Sequence, residues 1–139
     1  MVKYRNLSLA QVQKLAEKIA KRAKKSGAVI GLSGNLGSGK TTFAKAFAKS
    51  LGIKAIKSPT FIVSQRYRLK TRYLYHLDFY RLDHQTQLQP LGLNELLIRP
   101  NIVLIEWVEK FPKVKGSCDI LINLSVKPKD KRDVTIKSN

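Results

Sequence analysis

Apolar and polar positions along the chain predict alternating helices and strands. Leu9, Val12, Leu15, Ala16, Ile19, Ala20 and Ala23 recur at the spacing of one helical face, and Ser8 followed by Gln11 has the form of a capping box. The first predicted element is therefore a helix. After the turn Lys25-Ser26-Gly27, the apolar run from Ala28 to Ser33 reads as a buried strand, and Lys40 to Leu51 reads as a helix closed by Gly52. Phe61, Val63, Tyr67 and Leu69 alternate with polar residues, as do Tyr73, Tyr75, Leu77 and Phe79 beyond Lys70-Thr71-Arg72, which predicts a β-hairpin. Its second strand is expected to present His76, Asp78 and Tyr80 on one polar face beneath an apolar one, because side chains alternate with period two. Leu91 to Ile98 predicts a short helix. Asn101 to Glu106, with Ile102-Val103-Leu104-Ile105 in the middle, predicts a central strand ending in a carboxylate. Two more strands are expected at Asp119 to Val126 and Asp133 to Lys137, joined by a polar turn from Lys127 to Lys131. No internal repeat or low-complexity linker interrupts this order.

Composition narrows the class. A length of 139 residues with 43% hydrophobic residues fits one domain, 1–139, with a core of its own and no room for a second catalytic domain. No stretch has the length and apolarity of a signal peptide or membrane span, so a soluble cytoplasmic protein with no membrane partner is expected. The single cysteine, Cys118, excludes an internal disulfide, fits a reducing compartment and reads as a buried apolar residue. The 27 Lys and Arg against 9 Asp and Glu give a net charge of +18, which points to a polyanion or an acidic partner nearby but says nothing of the fold.

The strongest chemical signal is Gly34-Asn35-Leu36-Gly37-Ser38-Gly39-Lys40-Thr41, placed between a predicted strand and a predicted helix. This is a P-loop pattern. Glycines let the backbone wrap a phosphate, the helix start points amide N–H groups and its positive dipole end at the anion, and a lysine neutralises β/γ charge. Lys40 takes the lysine role and Thr41 offers a hydroxyl to Mg²⁺, so the expected ligands are ATP and Mg²⁺. Open α/β sheets place ligand groups at the carboxyl ends of their strands, where Glu106 lies. Glu106 either completes the Mg²⁺ site or is a surface carboxylate closing a strand. Asp78 either orients a water or is a solvated strand carboxylate, and His76 reads as a hydrogen-bonded structural histidine.

The residues Gly34 to Thr42, Ser58-Pro59-Thr60-Phe61, His76-Leu77-Asp78-Phe79-Tyr80-Arg81 and Glu106-Trp107-Val108-Glu109, in that order, closely resemble the bacterial tRNA threonylcarbamoyladenosine biosynthesis ATPase family TsaE. Leu91-Gly92-Leu93 lies between the third and fourth motifs, and the resemblance spans nearly the whole chain. It implies a P-loop NTPase-like three-layer α/β/α fold with a central mixed, mostly parallel sheet and a β-hairpin. It implies slow ATP hydrolysis and action with the TsaB and TsaD proteins in making N6-threonylcarbamoyladenosine at position 37 of ANN-decoding tRNAs, the group transfer being done by TsaD. Matched to the motifs, Gly37, Ser38, Gly39, Lys40, Thr41 and Thr42 would cradle phosphates, and Thr41 and Glu106 would bind Mg²⁺. Thr60 would sense the γ-phosphate and Asp78 would be the catalytic carboxylate. Trp107 would pack beside the nucleotide or a partner surface, and Glu109 and Arg132 match nucleotide-contacting positions. Val108 stands where the family usually has proline, so the turn before Glu109 is expected to differ.

Other classes fit less well. A small-molecule kinase needs a lid and an acceptor-binding insertion for which the chain has no space, and no Asn-Lys-x-Asp tetrapeptide marks a GTPase. Arg66, Arg68, Lys70 and Arg72 interleaved with Tyr67, Tyr73 and Tyr75 suggest an RNA-binding surface, but a solvated basic edge strand explains the same residues. The edge reading is preferred, with indirect tRNA proximity as a secondary possibility.

Overall fold

The computed structural model describes residues 1–57 and 63–139. Seven strands form one sheet: β1 (Val2–Leu7), β2 (Ala28–Ser33), β3 (Ser64–Arg68), β4 (Tyr73–Asp78), β5 (Ile102–Glu106), β6 (Ile120–Lys127) and β7 (Lys131–Ser138). Their spatial order is β1-β7-β6-β2-β5-β4-β3. The middle strands β6, β2, β5 and β4 run parallel, whereas β1, β7 and β3 are added antiparallel at the flanks. The sheet is therefore mixed, with a parallel centre, as expected.

Helices cover both faces. On one side lie α1 (Leu9–Ser26) and α2 (Lys40–Ser50), and on the other the short α3 (Leu93–Leu96) and α4 (Pro112–Gly116), with 3₁₀ turns at Gln85–Leu91 and Val108–Lys110. β5 shows how the two cores arise. Ile102 and Leu104 pack with the α1 and α2 side chains, while Val103 and Ile105, pointing the other way, pack with Phe79, Val108, Phe111 and Val114. Burial on both faces is why β5 reads as a continuous apolar run. Burying each such side chain contributes about 1.5–3 kcal/mol before entropy is subtracted.

The predicted α1 face is buried at Val12, Leu15, Ala16, Ile19, Ala20 and Ala23, whereas Leu9 at the helix start stays half exposed. The capping box is present, with Ser8 Oγ accepting from the Gln11 amide at 3.2 Å and Gln11 Oε1 accepting from the Ser8 amide at 2.8 Å. β1 precedes the predicted first element. Its pairing partner β7 lies more than a hundred residues away, and only Tyr4 and Leu7 pack against the core, so the segment carries no local apolar signal.

The hairpin β3–β4 forms, but β4 differs from the expected half-polar strand. It pairs with β5 as well as with β3, and Leu74 and His76, on the face expected to be polar, are both fully buried. Tyr80 falls in the turn beyond the strand and is exposed. Phe61, Ser58, Pro59 and Thr60 lie outside the described residues. Leu91 to Ile98 is not one helix: Gly92, at φ +62°, separates the 3₁₀ turn containing Pro90 from the single turn of α3. The predicted basic edge is correct in position, since β3 is the sheet's last strand and Arg66 and Arg68 on it are exposed.

Candidate functional site

β2 ends at Ser33, and residues 34–39 loop over its carboxyl end into α2. Gly34, Gly37 and Gly39 have φ of +140°, +80° and +105°. Gly34 also tolerates no side chain, because a Cβ there would lie 2.3 Å from the Leu124 carbonyl oxygen of β6. Gly39 is the N-cap of α2, and no side chain among the described residues caps that helix. Its first amides thus depend on a ligand or solvent for partners, the arrangement found at anion sites.

The neighbouring strands carry carboxylates to the same level. Leu32 of β2 is in register with Glu106 of β5, and Glu106 with Asp78 of β4. Glu106 is buried, and its Oε1 accepts a hydrogen bond from Thr41 Oγ1 at 3.1 Å. Its Oε2 lies 2.6 Å from Nε2 of the wholly buried His76. Asp78 Oδ1 accepts from the Tyr80 amide at 2.9 Å, which closes the turn after β4. Burial raises the Asp78 carboxyl above its ordinary pKa; the Tyr80 hydrogen bond opposes this, Glu106 adds to it, and His76 and Lys40 oppose it.

Lys40 is buried at the start of α2, and its ammonium turns back into the loop. It donates to the carbonyl oxygens of Gly34 and Asn35, the latter at 3.0 Å, and to Ser38 Oγ at 3.3 Å. The face of Trp107 closes the other side, with the ring centroid 4.0 Å from Nζ. Burial lowers the Lys40 pKa, while Glu109, Glu106 and Asp78 pull it back up. Trp107 holds its place with a left-handed backbone, φ +60°, and stacks at a tilt on Tyr80 with centroids 4.9 Å apart. Lys110 Nζ donates to the Tyr80 carbonyl at 2.7 Å and so ties that turn to the segment after β5.

Two further predicted residues meet the loop. Glu109 Oε1 accepts from the Gly34 amide at 3.4 Å, and its Oε2 is buried with no hydrogen-bond partner among the described residues. Arg132 of β7 donates from Nε to the Ser38 carbonyl at 2.9 Å and from Nη2 to that of Gly37 at 3.4 Å, with Nη1 paired to Asp130 at 2.9 Å. Thr42 lines a cleft with Gln13, Lys45 and Lys54. Thr60 lies outside the described residues.

A family model described as "Threonylcarbamoyl adenosine biosynthesis protein TsaE" matches residues 7–134. The chain belongs to the TsaE family. Curated relatives named tRNA threonylcarbamoyladenosine biosynthesis protein TsaE include that of Bacillus subtilis, 33% identical over 96% of this chain and 84% of the relative. Those of Aquifex aeolicus (38% identical, 88% and 86% covered) and Haemophilus influenzae (33%, 81% and 72%) are similar. The crystal structure of Bacillus subtilis YdiB superposes with a TM-score of 0.74 at 30% identity, covering 99% of this chain and 84% of that one. Members of the family carry names that place them in tRNA threonylcarbamoyladenosine biosynthesis, and among the described residues of this chain no helix is long and apolar enough to cross a membrane.

The donor set around the loop suits the ligands expected of a TsaE protein. Among the described residues no group of three or more His, Cys, Asp or Glu forms a cage for a metal. What the site offers is a hydroxyl and a carboxylate, Thr41 and Glu106, beside a glycine loop that leads into the uncapped start of α2. This donor set would fit Mg²⁺, which proteins commonly hold through one or two oxygens together with substrate phosphates and water. Val108, in the place of the usual proline, begins a 3₁₀ turn that still carries Glu109 to the Gly34 amide. Sequence reasoning missed the His76–Glu106 contact and the Lys110 tie to Tyr80. Both depend on how strands thirty residues apart align, and only the spacing of His76 and Asp78 on one strand hinted at the first.

Proposed function

We propose that the chain is a P-loop ATPase that binds Mg²⁺ and ATP and acts with TsaB and TsaD in forming N6-threonylcarbamoyladenosine at position 37 of tRNA, in the cytoplasm. The observation that carries this reading is the 3.1 Å hydrogen bond between Thr41 and Glu106, which joins the end of the glycine loop to the end of the central strand. In this reading the loop amides and the start of α2 hold the β- and γ-phosphates, and Lys40 moves from its carbonyl partners to the phosphate oxygens. Thr41 and Glu106 would hold Mg²⁺, whose charge offsets that developing on the transferred phosphoryl group. Asp78 orients the attacking water, with Thr60 beside the γ-phosphate. Arg132 steadies the loop from outside through the Ser38 carbonyl, and Glu109 does so from its first amide.

Phosphate release by the purified chain, measured alone and with its own TsaB–TsaD pair, tests this. Expected is slow Mg²⁺-dependent hydrolysis that depends on Lys40 and changes when the pair is added. No hydrolysis in either mixture would remove the ATPase reading, and hydrolysis indifferent to the pair would remove the partnership. tRNA contact is taken to be indirect, because Arg66 and Arg68 lie on an edge strand where charge guards against strand addition.

A further inference from the structure

Glu106 has each carboxylate oxygen tied to a different element. Oε1 takes the hydroxyl of Thr41 on α2, and Oε2 meets Nε2 of His76 on β4 at 2.6 Å. The β4–β5 register sets His76 opposite Leu104 and Asp78 opposite Glu106, so the imidazole reaches Glu106 diagonally across the strands. His76 is 0% exposed and Glu106 2% exposed, so their contact is shielded from bulk solvent. Nδ1 of His76 is buried without a partner among the described residues. With Nε2 donating to the carboxylate, Nδ1 as an acceptor avoids a buried unsatisfied N–H.

We propose that His76 is the positioning residue for the metal-binding carboxylate. It fixes the rotamer of Glu106 so that Oε1 stays beside the Thr41 hydroxyl, where the two would share an ion. A glutamate side chain has three rotatable bonds, and with only the Thr41 contact it swings away whenever that hydroxyl turns to a metal. The imidazole holds Oε2 throughout and removes that freedom before any ion arrives. Partners of this kind behind a ligating carboxylate change metal affinity 10- to 100-fold. The inference rests on the Mg²⁺–nucleotide reading above.

The test uses the full chain with Mn²⁺ as the probe, the free ion being followed by electron paramagnetic resonance at fixed ATP, and ATP affinity being measured separately in EDTA. His76→Leu fills similar volume without a donor; His76→Gln retains an amide N–H near the position of Nε2. Expected is a 10- to 100-fold rise in the Mn²⁺ concentration at half-saturation for His76→Leu, ATP affinity in EDTA within about twofold of wild type, and recovery of most of the loss in His76→Gln. In a Glu106→Gln background His76→Leu should add little further. Unchanged Mn²⁺ affinity in His76→Leu, or equal damage in the Leu and Gln variants, overturns the proposal. If His76→Leu does not fold, His76→Asn, too short to reach Oε2, replaces it with the same expected outcomes. Wild type that shows no Lys40-dependent binding of ATP and Mn²⁺ would overturn the nucleotide reading itself, whereas such binding indifferent to His76 overturns the positioning role alone.

Discussion

The ammonium of Lys40 rests against the face of Trp107, 4.0 Å from its centroid, while its protons reach the carbonyl oxygens of Gly34 and Asn35. The lysine is thus held inside the loop by groups that the phosphate of the proposed nucleotide would have to outcompete. Trp107 is the chain's single tryptophan, so its fluorescence reports the position of Lys40. Addition of ATP and Mg²⁺ should change wild-type emission and raise the melting temperature, and Lys40→Ala should show neither response. A ligand-induced stabilisation of normal size in Lys40→Ala would remove the phosphate assignment of the loop.

Asp78 leads to a pH prediction. Burial, assisted by Glu106, keeps its carboxyl protonated to a higher pH than an ordinary aspartate. In the proposed role only the ionised carboxylate is basic enough to draw a proton from the attacking water, so turnover should rise as pH climbs through this elevated pKa and reach its plateau above it. Asp78→Asn preserves an oxygen for the Tyr80 amide, and should bind ATP within a few-fold of wild type while losing about 10²-fold or more in kcat, together with that acid limb. Equal losses in binding and turnover would assign Asp78 to the turn instead.

Gly34→Ala should destabilise the fold and not merely the site. The added Cβ meets the Leu124 carbonyl at 2.3 Å, at a φ of +140° that side chains avoid. Backbone opposes backbone there, so the loop must move away from β6 at a cost of about 2 kcal/mol or more. Urea titration measures this. Gly37→Ala, whose Cβ meets nothing within 4 Å, is the control and should lose less stability.

Cys118 should be inert. It is buried against Val114, and burial, with Asp119 adding to it, pushes its thiol up to about 12. Since the thiolate is the reactive form, an aromatic disulfide reagent at neutral pH should label the native protein very slowly and the urea-unfolded protein at once. Rapid native labelling would mean that the α4 side of the sheet opens easily.

The sequence shows its local features well and its alignments poorly. The Ser8 capping box, the glycine loop and the apolar run before Glu106 each lie within a few residues, and each stands where its pattern put it. The positions of Lys40 and Thr41 at the start of α2 were legible for the same reason. β1 was not, because its reason for existing is β7 at the far end of the chain. His76 looked like one member of a polar strand face, since alternation records which residues share a side but not whether that side is covered. Leu74, beside it on that face, packs beneath α2 with Phe43 and Phe47, and this converts a polar stripe into a buried contact with Glu106.

The flanks of the sheet carry a further consequence. Both open strands are studded with exposed cations, Lys3 and Arg5 on β1 and Arg66 and Arg68 on β3. Two molecules approaching edge to edge therefore repel, and the range of that repulsion is the Debye length, about 10 Å at 0.1 M salt. Added salt shortens it and exposes the unpaired backbone rows beneath. Colloidal behaviour should accordingly follow the charge: dilute buffer keeps the molecules separate, and concentrated salt lets their rims meet.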